Sequence, residues 1–292
     1  MKNELIENNL KQEYIKRLGK PYIKKGTQKF FLDQFAAGAG NELNVKFWNK
    51  KSSSRFAFDL YSWMAYDDSI VDFEFEYHLP GMKSGGMGPN MDVYIETAKD
   101  IIFIESKFSE MANLHFIDNG YLSKAYYLDD AYGRRKMYLS ERYYDYGFAS
   151  QISKFCMEFE NEMKNSKWHS GIDWFEPKQE TCHLIGILLY LKNNEEYLKD
   201  KRIRFCNIYY SLKNDIKTEL YKAFEKSVSE LLENIKSQLG GITIEFKAFS
   251  VQEMLNNNSL LSDAIKFPKD INESIKPYEA LAKDKTRKEM KE

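Results

Sequence analysis

Glu105-Ser106-Lys107 closes a short apolar run, Ile101-Ile102-Phe103-Ile104, and Asp92 stands thirteen residues upstream in a second strand-like run. Two carboxylates and an ammonium group gathered at the open end of a sheet can hold a divalent cation and direct water at a phosphodiester. That chemistry needs a scaffold that brings the three together. Met91-Asp92-Val93-Tyr94-Ile95 and Ile101 to Phe108 read as strands joined by a turn around Thr97-Ala98-Lys99-Asp100. With Ala98-Lys99 at the turn centre, position 92 falls opposite 105, 93 opposite 104 and 95 opposite 102. Side chains two apart on a strand share a face. Val93, Ile95, Ile102 and Ile104 then form one apolar face, and Asp92, Glu105 and Lys107 share the other.

Two opposed carboxylates with Cβ atoms about 5 Å apart normally destabilise a sheet. A divalent cation between them removes that objection. Lys107 would sit about 7 Å along the strand, near where a water on the cation could be held. Ala-Lys is a poor two-residue hairpin turn, so a longer loop or a bulge stays open. A solvated structural hairpin is the competing reading.

The pattern Asp92…Glu105-x-Lys107 resembles the PD-(D/E)XK nuclease superfamily, the fold of many type II restriction endonucleases and of several repair and recombination nucleases. The resemblance covers about residues 30–108 and 176–250 and leaves the middle unmatched. Met91 rather than Pro precedes Asp92, with Pro89 three residues back. The resemblance implies that Asp92 and Glu105 hold Mg²⁺, with Mn²⁺ as a substitute, and that Lys107 positions or activates the attacking water. It also implies an acidic metal ligand on the helix before the first strand, for which Glu42 is the candidate. A polar residue near the active site on the later helix is implied as well, and Gln179 is that candidate. A surface glutamate at 42 is the plain alternative.

Glu-x-Lys by itself carries little, because this chain contains it five times. Glu162/Lys164 and Glu289/Lys291 lie in highly charged stretches, and Glu176-Pro177-Lys178 looks like a helix entrance. Glu245-Phe246-Lys247 sits in a plausible strand, but no Asp occurs between Asp215 and it. Only the 105–107 copy joins a strand, an apolar back face and a suitably placed Asp.

The order of elements is α/β. Residues 4–18 have helical spacing, Phe30 to Leu43 reads as a helix, and Ser52-Ser53-Ser54-Arg55 reads as a capped helix start leading into Phe56 to Met64. The basic residues Lys16, Arg17, Lys20, Lys24, Lys25 and Lys29 form a solvated surface or a phosphate-contacting strip. Val71, Phe73, Phe75 and Tyr77 alternate with Asp72, Glu74, Glu76 and His78, which predicts a half-buried first strand. The Gly-rich run 80–90 lacks a following Gly-Lys-Ser/Thr and opens no helix, so it is no nucleotide loop.

Residues 109–175 read as a helical insertion. Eight of the twenty tyrosines fall between Tyr121 and Tyr146 beside Arg134, Arg135, Lys136 and Arg142. Such a mixture stacks bases and neutralises phosphates, or it packs a small helical lobe. Tyr146 to Met163 looks like a core helix. Pro177 to Leu191 reads as a helix with Gln179 and His183 on one face. His183 has no second ligand at useful spacing and reads as a packing residue. A strand at Arg202 to Tyr210, a long amphipathic helix over 213–237, Gly240-Gly241 and a strand at Ile242 to Phe249 complete the order. Residues 269–292 form a highly charged tail, either a frayed helix or disordered.

Composition bounds the rest. At 292 residues with 43% hydrophobic side chains, the chain can bury a substantial core. A net charge of −1 excludes a basic field over the whole surface, so contact with nucleic acid must be local. Cys156, Cys182 and Cys206 form no C-x-x-C pair and read as reduced thiols. No signal peptide or membrane-length apolar run is apparent, which points to a soluble cytoplasmic protein without a membrane partner.

The expectation is one domain over 1–268 with a restriction-endonuclease-like α/β core. Its mixed sheet would have four to five strands flanked by helices, interrupted by the insertion and followed by the tail. The expected activity is Mg²⁺-dependent hydrolysis of DNA, with RNA open as a substrate and a homodimer as a possible assembly. The alternative is a non-catalytic nucleic-acid-binding or assembly protein on the same fold.

Overall fold

The structure, a computed structural model, describes residues 2–24, 27–38, 43–44, 47–49, 52–80, 88–108, 127–129, 135–137, 151, 155, 158, 177–210, 216–256 and 261–289. Helix α1 (Lys2–Leu18) leads into an antiparallel hairpin of β1 (Pro21–Lys24) and β2 (Thr27–Phe30), then into α2 (Phe31–Ala37). The basic stretch therefore contributes a hairpin, and the helix expected over 30–43 is shorter. Helix α3 (Ser53–Tyr61) starts at the expected serines. Its N-cap is Ser52, whose side chain accepts a hydrogen bond from the Arg55 amide.

Three consecutive strands, β3 (Ile70–His78), β4 (Asn90–Thr97) and β5 (Asp100–Lys107), form an antiparallel meander. Val93 pairs with Ile104 and Ile95 with Ile102, the register required to bury all four on one face. The two-residue turn is stabilised by its flanking threonine. Thr97 Oγ1 accepts hydrogen bonds from the amides of Lys99 (3.2 Å) and Asp100 (2.9 Å), supplying the local bonding that Ala-Lys lacks.

A short antiparallel pair, β6 (Tyr127–Asp129) and β7 (Arg135–Met137), falls where the sequence predicts a helical insertion. Within 109–175, residues 151, 155 and 158 are helical, and the buried Phe155 ring meets Phe224. The chain then continues through α4 (Pro177–Asn193), α5 (Glu195–Leu198) and β8 (Arg202–Tyr209) to α6 (Ile216–Ile235) and β9 (Ile244–Ser250). The end is formed by α7 (Val251–Leu255) and α8 (Ile271–Glu289). The charged tail is thus helical, and Ile271, Ile275 and Tyr278 are buried in the core.

β8 lies parallel to β5, and β9 parallel to β8, giving a mixed five-stranded sheet in the order β3-β4-β5-β8-β9. Helices cover both faces. Leu184, Leu188 and Leu191 of α4 and Phe224, Val228 and Leu232 of α6 pack on Ile101, Phe103, Phe205 and Phe246. On the opposite face an aromatic layer that includes Phe31, Phe35, Phe56 and Phe58 packs on Val93, Ile95, Ile102, Ile104 and Ile208. Both sheet edges are blunted by side chains. Gln34 Oε1 accepts from the Phe75 amide (3.2 Å), and at β9 Glu225 Oε2 accepts from the Ala248 amide (3.1 Å).

The first strand departs from simple alternation. Val71 is 49% exposed, while Phe73 and Phe75 are buried in the aromatic layer. Tyr77 packs on the α4 side, stacked on Tyr94 at 4.3 Å between ring centroids. Between them Glu76 adopts a left-handed φ of 51°. A left-handed residue in mid-strand rotates the chain and resets which face later side chains occupy.

Helix α4 approaches the sheet end closely because residue 186 is glycine. A Cβ there would lie 3.0 Å from Leu79 Cβ and 3.0 Å from Pro89 Cγ. Among the described residues, no helix is long and apolar enough to cross a membrane. Gly186→Ala should overpack this contact and destabilise the protein by about 1–3 kcal/mol. A thermal melt should show a Tm lowered by several degrees, and an unchanged Tm would contradict the close approach.

Candidate active site

The site forms where β4 leaves β5. The ladder between them runs from Glu96↔Ile101 to Val93↔Ile104, whereas β4 stays on β3 as far as His78↔Asn90. Asp92 occupies the parting. Its Oδ2 accepts a 2.7 Å hydrogen bond from the Ser106 amide, so a carboxylate takes the place of a ladder carbonyl. This bond ties Asp92 to the residue between Glu105 and Lys107.

Glu105 and Lys107 lie two residues apart on β5 and share the face covered by α4. Lys107 Nζ stands 2.7 Å from Glu105 Oε1, and both residues are buried. Above them, the α4 residue His183 places Nδ1 3.5 Å from Glu105 Oε2, and each side chain is only 2% exposed. On the neighbouring parallel strand, Asn207 is abreast of Glu105 and Tyr209 abreast of Lys107. The cluster therefore lies at the carboxyl ends of two parallel strands, the usual place for ligands on open α/β sheets.

Electrostatics show the strain of this arrangement. The Asp92 carboxyl is pushed well above the usual carboxylate range, first by burial, then by Glu105 and then by Glu76. Lys107 and the Ser106 amide act in the opposite sense without overcoming those effects. Glu76 reaches this neighbourhood from β3, at the left-handed residue between Phe75↔Val93 and Tyr77↔Met91. Its carboxylate rests against Gly38, where a Cβ would come 2.9 Å from Oε2.

Residues 92, 105 and 107 are thus brought together as their spacing requires. Gln179 lies on α4 one turn before His183, and its backbone alone is described. Glu42 lies outside the described residues. The competing Glu245-x-Lys247 copy is exposed on β9, where Lys247 Nζ bonds Glu225 Oε1 at 2.8 Å. Three participants are not assigned to the site by the sequence. Glu76 reads as a solvent-side residue of an alternating strand, and His183 reads as packing. Asn207 is the one uncharged amide in the run Ile203 to Tyr210, a signal that was available.

The donor chemistry fits a hard divalent cation. Among the described residues, no three acidic, imidazole or thiol groups converge closely enough to enclose an ion by themselves. A site of one or two carboxylates that leaves other positions to water and phosphate suits Mg²⁺ better than a cation wanting a full protein cage. Asn207 is 1% exposed beside Glu105, and its Oδ1 and Nδ2 have no hydrogen-bond partner among the described residues. Buried polar atoms of this kind call for a polar partner.

A raised folded-state pKa fixes the sign of the pH dependence. Asp92 contributes stability below the unfolded aspartate value, and this is lost as pH rises through the raised folded value. Asp92→Asn keeps an oxygen for the Ser106 amide and carries no charge. At pH 7 without divalent cations, this variant should melt above wild type. The gap should close on acidification towards the ordinary aspartate range. Parallel melting curves at all pH values would show that Asp92 bears no such penalty.

No family model, curated protein or solved structure matches this chain. Its functional reading therefore rests on the geometry of its own residues.

Proposed function

We propose that this protein is a Mg²⁺-dependent endodeoxyribonuclease on a restriction-endonuclease-like core, hydrolysing phosphodiester bonds in DNA. The observation that carries the reading is the acidic pair Asp92 and Glu105 at the parting of β4 and β5, with Lys107 on Glu105. Element order lends further support, since a helix, three strands, a helix and a fourth strand follow one another as the superfamily resemblance implies. A structural ion pair alone does not account for Asp92, whose ionised form is penalised by its neighbours.

In this reading Asp92 and Glu105 hold the cation. Bound Mg²⁺, or Mn²⁺ in its place, supplies neutralisation of phosphate charge and a lowered pKa for water. Lys107 gives up Glu105 Oε1 and donates to a non-bridging phosphate oxygen as negative charge builds there. His183, beside the other Glu105 oxygen, keeps that carboxylate aligned as Lys107 turns. Water adds to phosphorus and releases a proton to solvent, the bond to one bridging oxygen breaks, and that oxygen takes a proton from solvent and leaves as a hydroxyl.

Plasmid, linear and single-stranded DNA incubated with Mg²⁺ or Mn²⁺ test the proposal. Wild type should cut only with the cation, and Lys107→Ala and Asp92→Asn should each lower the rate by about 10²–10³-fold. If wild type and both variants behave alike, the catalytic assignment fails. Cation-independent binding without cleavage would favour a nucleic-acid-binding or assembly role.

A further inference from the structure

Asn207 sits on β8 abreast of Glu105, on the face where β5 and β8 otherwise present Phe103 and Phe205 to the helices. It is 1% exposed. Neither its Oδ1 nor its Nδ2 has a hydrogen-bond partner among the described residues. An amide in that position loses both its hydration and its bonding, a combination that native interiors avoid. It is in register with Glu105, whose carboxylate meets Lys107 and His183.

We infer that Asn207 is a positioning residue of the cation site, its carboxamide orienting a water that would complete the ion's coordination beside Glu105. The inference rests on the nuclease reading above and deepens it. Mg²⁺ gives up its waters reluctantly, so a site with few carboxylates must fix those waters through neighbouring side chains. A carboxamide can do this in either direction, accepting through Oδ1 and donating through Nδ2. The neutral amide adds no third negative charge beside Asp92 and Glu105. His183 covers Glu105 from the helix layer, and Asn207 flanks it within the sheet.

Asn207→Leu keeps the branched shape and removes the amide, and Asn207→Ala serves if the bulk of leucine prevents folding. Mg²⁺ is titrated into each protein without nucleic acid, by calorimetry and by its effect on Tm, with Asp92→Asn as the control. The apparent Kd for Mg²⁺ should weaken about 10–100-fold in the Asn207 variant. The Tm of the metal-free variant should stay at or above wild type, because an unsatisfied amide has been removed. A wild-type Kd together with a lowered metal-free Tm would overturn the inference and make Asn207 a purely structural residue. In that case Mg²⁺ binding by wild type and its loss in Asp92→Asn would leave the nuclease reading standing. No Mg²⁺ binding by wild type would overturn both.

Discussion

Everything at the site follows from β4 staying on β3 while it leaves β5. Had the β4–β5 ladder continued, Asp92 would project beside Glu105 with no amide to receive it. The parting frees the Ser106 amide, and the Asp92 carboxylate takes it at 2.7 Å. One hydrogen bond thereby fixes an acid where its charged form is disfavoured by burial and by Glu105. Such a bond favours the ionised acid but falls short of offsetting those penalties. A divalent cation would complete the balance.

The remainder of the sheet is built to tolerate that local penalty. At the turn end, Glu96 accepts from the Tyr94 hydroxyl (3.1 Å) and from Lys201 Nζ (2.9 Å). Asp100 pairs with Arg202 and with the fully buried Arg204, which also bonds Asp263. On the aromatic side, Asp59 accepts from Arg17 (3.1 Å) and from the Tyr278 hydroxyl (2.7 Å), joining α1, α3 and α8. These polar locks hold the sheet far from the cluster. Native proteins commonly break a local rule at a functional site while satisfying it elsewhere.

Much of this was legible in the sequence because the period of a strand is two. Val93, Ile95, Ile102 and Ile104 demand a single register, and that register puts Asp92 and Glu105 at one end. Helix starts at Ser52 and Pro177 were legible for equally local reasons. What escaped was non-local. Glu76 lies in an ordinary alternating run, and nothing local announces its left-handed φ. His183 is a lone histidine until β5 is placed beneath it, and Asn207 gains meaning only from parallel pairing with Glu105. The tail's burial escaped for the same reason, since Ile271, Ile275 and Tyr278 are too sparse to predict a core contact without α3 beneath them.

The most direct measurement is the anomalous diffraction of crystals soaked in Mn²⁺. The account predicts a peak between Asp92 and Glu105, with both carboxylates as ligands and Lys107 Nζ withdrawn from Glu105 Oε1. A structure in which the Lys107–Glu105 pair persists and Mn²⁺ binds elsewhere, or nowhere, would contradict it.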